Sequence, residues 1–109
     1  MVTMQQQADL YPTLLQALVQ LLGRTIPILD RPEQLVAEMR RLIATGLPGD
    51  RQINLSAPRS HRPEEWFALV TARLGWLADA VLDDDEQATQ RILHGIDEIC
   101  AAWLMDIRR

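Results

Sequence analysis

The sequence predicts an all-α protein, a single domain of four helices whose last two fold back on each other as an antiparallel hairpin. Three observations carry this. Apolar residues recur at alternating spacings of three and four, the period of a helix face. Proline, acidic and glycine residues stand where helices start and stop. A chain of 109 residues with 48% hydrophobic content suits one core.

Residues 1–11 read as a flexible, glutamine-rich lead-in. The first helix is expected from Pro12, tolerated in a first turn, through Leu14, Leu15, Leu18, Val19, Leu21 and Leu22 to Gly23. Pro27 prevents simple continuation. Asp30 with Glu33 makes a capping-box pattern around Pro32, and the second helix carries Leu35, Val36, Met39, Leu42 and Ile43 to a stop at Gly46. Residues 12–46 thus form a first helical pair. The span 47–61 has no helical period and reads as a long loop, where Arg51, Arg59 and His61, with Arg62 adjoining, gather basic charge. A loop of this length is either functional or a solvated connector.

The third helix opens at Pro63, with Glu64 and Glu65 suited to a helix N-terminus, and runs to about Leu82. Phe67, Val70, Leu74, Leu77 and Val81 line one face, and Trp66, Leu69, Trp76 and Ala80 a neighbouring one. The acidic run Asp83 to Glu86 makes the turn, with Asp84 as N-cap and Gln87 completing the box. The fourth helix carries Ile92, Ile96, Ile99, Trp103 and Ile107, with Leu93, Cys100 and Leu104 alongside. Four short helices cannot easily hide this much apolar surface. Part of helices three and four is therefore expected against another subunit, in a dimer, with Trp66, Trp76, Ile92, Ile99 and Trp103 as interface candidates.

A net charge of −4 and a pI near 5.0 argue against a general nucleic-acid binder, which needs surplus basic side chains. All eleven basic residues are arginine, which fits either a GC-rich genome or a preference for bidentate contacts. Cys100, alone and in an apolar run, is expected to pack as a small hydrophobe, and a reducing, cytoplasmic setting follows. The N-terminus lacks the charged and apolar regions of a signal peptide. The apolar stretch from Leu14 to Leu22 is too short for a bilayer, so a soluble protein without a membrane partner is expected.

No complete catalytic motif is present. Consecutive carboxylates at Asp83 to Glu86 diverge and lack the alternation of a calcium loop. His61 and His94 have no second ligand at zinc spacing. Ser56 and Ser60 have no recognisable base, and no glycine-rich phosphate loop exists. The three tryptophans could stack on a base, although tryptophan at helical spacing among aliphatics more often packs.

One segment carries a resemblance. The run Arg62-Pro-Glu-Glu-Trp-Phe-Ala-Leu-Val, then Leu74-Gly75-Trp76-Leu77-Ala78-Asp79-Ala80, an acidic turn, and a helix ending Ala101-Ala102-Trp103-Leu104 resembles the MazG-like nucleotide pyrophosphohydrolases. It covers residues 62–109. In that all-α family the first hairpin helix carries two adjacent glutamates and a third three residues later, and the second carries a Glu and an Asp three apart. Residues so spaced share a helix face, so the carboxylates converge on Mg²⁺, which binds phosphates and activates water. The resemblance puts Ala72, Arg73 and Trp76 at the three glutamate positions and Ile92 and Gly95 near the other two. This chain departs from the family's metal-binding set, and no metal or other cofactor is expected.

A hairpin turn near Asp84 and Asp85 would bring Arg73 close to Asp97 and Glu98, where an ion pair could stand in for the lost metal charge. The alternative is that all three face solvent. The resemblance implies a catalytically degenerate protein acting through oligomerisation and a protein partner, as adaptor, regulator or inhibitor. The alternative is nucleotide binding, or pyrophosphohydrolase activity at an atypical site with Mg²⁺, with Arg59, Arg62 and Arg73 meeting the phosphates.

Overall fold

Four helices account for almost all of the chain that the computed structural model describes, which is residues 4–23, 32–47 and 60–108. They are α1 (Met4–Gly23), α2 (Pro32–Ala44), α3 (Pro63–Leu82) and α4 (Glu86–Ile107), and the described residues contain no strand. The protein is all-α, as its periodicity predicts. Among the described residues no helix is long and apolar enough to cross a membrane.

The helices form a ring in which α1 packs on α2 and α3, and α4 packs on α2 and α3. Two contacts give the direction of α2 against α4. Arg40 meets Asp97, and Arg108 reaches Glu33 at 3.5 Å, so the two helices are antiparallel. On the diagonal, Gln90 Nε2 donates to Tyr11 Oη at 2.9 Å, joining α1 to α4. Leu14, Leu18 and Leu22 of α1 meet Val36, Met39 and Ile43 of α2, Val70 and Leu77 of α3, and Leu93, Ile96 and Cys100 of α4 in one core.

Helix α1 begins at Met4, upstream of the expected start, and holds Pro12 in its interior. A proline removes one backbone donor and crowds the preceding turn. The glutamine- and alanine-containing lead-in has enough helix propensity to continue through it. The expected capping residue Asp30 and the loop 47–61, apart from Leu47, Ser60 and His61, lie outside the described residues; Arg51 and Arg59 are among them.

Gly46 ends α2 for a reason other than backbone freedom, since no described glycine has a positive φ. A Cβ there would come within 2.7 Å of Leu14 Cδ2 and 3.4 Å of Leu93 Cδ1. The glycine lets the end of α2 slide under α1 and α4. At the hairpin turn the cap shifts by one residue from the expectation. Asp84 takes a left-handed φ of 53°. Its N–H donates to Val81 O at 3.1 Å and that of Asp85 to Ala80 O at 3.0 Å, the pattern that closes a helix C-terminus. Having closed α3, Asp84 cannot also open α4. Asp85 does so, its side chain accepting from Ala88 N at 3.1 Å.

The buried stripe of α4 is Leu93, Ile96, Cys100 and Trp103, with Ile92, Ile99 and Ile107 half-buried on its flank. The expectation placed Ile96 and Trp103 in one line with these flanking isoleucines and set Leu93 and Cys100 alongside. α4 packs on α2 as well as α3, so its inward stripe lies between the two.

Candidate functional site

The level of the hairpin at which the family resemblance sets metal ligands is built from the middle of α3 and α4. Ala72 and Trp76 are exposed and Arg73 is half-buried. Arg73 and Trp76 lie three apart and share a face, and the guanidinium carbon sits 4.3 Å from the Trp76 ring centroid. The pair shields a cation on an aromatic face, yet leaves Trp76 54% exposed. Across the hairpin stand half-buried Ile92 and Gly95. No group of three or more His, Cys, Asp or Glu side chains able to hold a metal ion comes together among the described residues.

The expected ion pair between Arg73 and Asp97 or Glu98 does not form. Asp97 Oδ1 accepts instead from Arg40 Nε at 3.0 Å, with the carboxylate fully enclosed and the guanidinium partly in solvent. Glu98 Oε1 lies 3.1 Å from His94 Nε2 on its own helix. The reason is rotational. Asp97 follows Leu93 by one turn, on the side of α4 turned to α2, where Arg40 reaches it, whereas Arg73 on α3 lies over Trp76. One turn on, Cys100 is fully buried, and loss of solvent together with the Asp97 charge pushes its thiol up to about 12. It packs as a small hydrophobe, as expected.

A second cluster gathers where α3 starts and α4 ends. Asp106 accepts from Ser60 Oγ at 2.8 Å, from the His61 backbone N–H at 3.2 Å and from Trp66 Nε1 at 2.9 Å. Trp66 stacks on Trp103 with centroids 6.3 Å apart and planes within 11°, and His61 meets it edge-on at 4.7 Å. Trp66 and Trp103 are 4% and 1% exposed, so these two interface candidates belong to the subunit's own interior. Ile92 and Ile99 pack partly against the core, and Trp76 alone of the five stands largely exposed. Arg62 Nε bonds Glu65 Oε1 at 3.1 Å, and His61 Nδ1 lies 3.0 Å from the other oxygen. These contacts, His61 first and then Arg62, lower the Glu65 carboxyl below its usual range. Arg59 lies outside the described residues.

Sequence reasoning missed Asp106 and Arg40. A signal for Asp106 was present: an acid in the last turn of a helix opposes the helix dipole, so its place there asks for donors from elsewhere. Arg40 gave no such signal, because an arginine one position from Met39 on a short helix is ordinary. Comparison with protein-family models, curated proteins and solved structures returns no match for this chain.

Proposed function

We propose that this chain is a binding protein rather than an enzyme, a MazG-like hairpin without metal chemistry that acts by associating with a second copy of itself and, so assembled, with a partner protein as adaptor, regulator or inhibitor. The observation that carries the reading is the Arg73–Trp76 pair. Beside Ala72, the positions where the resemblance calls for glutamates hold an arginine and an exposed tryptophan. These are the residue types that dominate binding energy at protein interfaces, and neither ligates Mg²⁺. The deep burial of Cys100, which takes the chain's one thiol out of reach of solution partners, supports the same reading.

The test is a thermal-shift panel of nucleoside triphosphates with and without Mg²⁺, run beside a solution mass measurement. Any ligand selective for the folded state raises its apparent stability. No shift together with a mass above that of one chain is the expected result. A Mg²⁺-dependent shift, or pyrophosphate release, would overturn it in favour of a nucleotide site contacted by Arg73 and Arg62.

A further inference from the structure

The outward face of the α3–α4 hairpin combines an exposed ring, a glycine with open space above it and an alternating pattern of charge. Register follows from the two ends of the hairpin: Trp66 stacks on Trp103 at one, and the Asp83–Asp85 turn closes the other. Between them, Trp76 of α3 stands level with Gly95 of α4. A Cβ built on Gly95 would meet nothing within 4 Å. Gly95 lies three turns before Asp106, on the stripe of α4 that borders α3, so the notch left by its missing side chain adjoins the outer surface that carries Trp76.

Charges surround them in a quadrupole. Arg73 lies one turn before Trp76, and exposed Asp79 one turn after it. On α4, running the other way, exposed Arg91 is level with Asp79, and half-exposed Glu98 is level with Arg73. Positive thus faces negative across the hairpin at both levels. A surface with this arrangement is complementary to itself when rotated about a two-fold axis parallel to the helices.

We infer that this face is the site of self-association, with α3 of one copy lying antiparallel on α4 of the second. Trp76 of each copy enters the Gly95 notch of the other. Arg73 then meets Glu98 of the second copy, and Asp79 meets Arg91, each contact occurring twice as an isologous interface requires. Ala72 beside Trp76 allows close approach of the helix axes. Two helices about 30 Å long and about 10 Å wide offer roughly 600 Å² from each copy, at the lower end of specific interfaces. The occupant is therefore a second copy of this chain, held by a central aromatic in a pocket with charged pairs at the rim, the arrangement in which a tryptophan contributes most.

This inference rests on the self-association reading above and is tested so that the two can fail separately. Sedimentation equilibrium of the full chain, a single copy being 12.4 kDa, is measured for the parent and for Trp76→Ala, Gly95→Leu, Arg91→Asp and the double variant Asp79→Arg/Arg91→Asp. Circular-dichroism melts report whether each is folded. The expected result is a dimeric parent, at least tenfold weaker association for the three single variants, and recovery in the double variant. A parent dimer unmoved by Trp76→Ala and Gly95→Leu would overturn this surface and leave self-association standing. A parent that stays monomeric at all concentrations would overturn both.

Discussion

Trp66 and Trp76 are the same residue on the same helix, ten positions apart, and their surroundings have little in common. Trp66 is enclosed, stacked on Trp103, edged by His61 and bonded through its N–H to Asp106. Trp76 touches the guanidinium of Arg73, one turn back, and otherwise stands largely in solvent. Ten residues turn a helix by nearly three full turns but fall short by about 80°. That shortfall moves the second ring from the seam with α4 to the outer surface. At the α3 start another element supplies Trp66 with both a flat apolar partner and an acceptor for its N–H, the conditions that suit a buried indole, and Trp76 has no such partners among the described residues.

The widest test of this contrast is truncation of each ring. Trp66→Ala should lower the unfolding free energy by about 3–5 kcal/mol, since a fully packed aromatic is lost. Trp76→Ala should change monomer stability by less than about 0.5 kcal/mol. Urea denaturation at low protein concentration measures both, and equal losses would dissolve the distinction. Arginine offers the same comparison on a smaller scale. Arg40→Met withdraws a guanidinium from the enclosed Asp97 and should cost about 2 kcal/mol, below the usual range for a buried pair because Arg40 is partly in water. Arg73→Ala should cost only about 0.5 kcal/mol.

Glycine sharpens it further, because the sign reverses. Gly46→Ala should destabilise by about 1–2 kcal/mol, the new methyl pressing on Leu14, whereas Gly75→Ala should stabilise by about 0.5–1 kcal/mol, since open space surrounds it on an exposed helix. Thermal melts of the two variants read the opposite shifts directly. The smallest effect concerns the contacts that flank Trp66. The folded-state carboxyl of Glu65 lies below its ordinary 4.5, so its contribution is present above that pH and fades as pH falls through the lowered value. Glu65→Gln should flatten the fall of Tm on acidification below about pH 4.5, and an unchanged slope would remove this contribution.

Helix number, the α2, α3 and α4 spans and the hairpin were legible because they depend on local chemistry. Pro63 with Glu64 and Glu65 marks a start wherever it occurs. The turn was legible at Asp83 to Glu86 and only its cap was misplaced by one residue, because four successive acids offer several caps of similar quality. Backbone geometry selects among them when Asp84 takes the left-handed position. The first helix was read too short because a proline signals a start more strongly than it signals an interior position.

The candidate site was half legible. Arg73 and Trp76 were singled out, and they do come together on an outward face. Trp66 and Trp103 were grouped with Trp76 because apolar spacing cannot tell an inward face from one that borders a neighbour. The Arg73 ion pair failed for a related reason. A hairpin considered alone brings α3 opposite α4, but α2 also packs against α4 and takes Asp97.

By itself the sequence determined an all-α chain with a C-terminal hairpin, since helix periods, caps and turn residues act over four or five positions. Only the tertiary structure decided which tryptophan is enclosed, which arginine holds the buried carboxylate, and that Gly46 is needed for space. Those outcomes depend on which helices meet at which rotation, and in a ring of four helices each neighbour selects a different stripe from the same apolar surface.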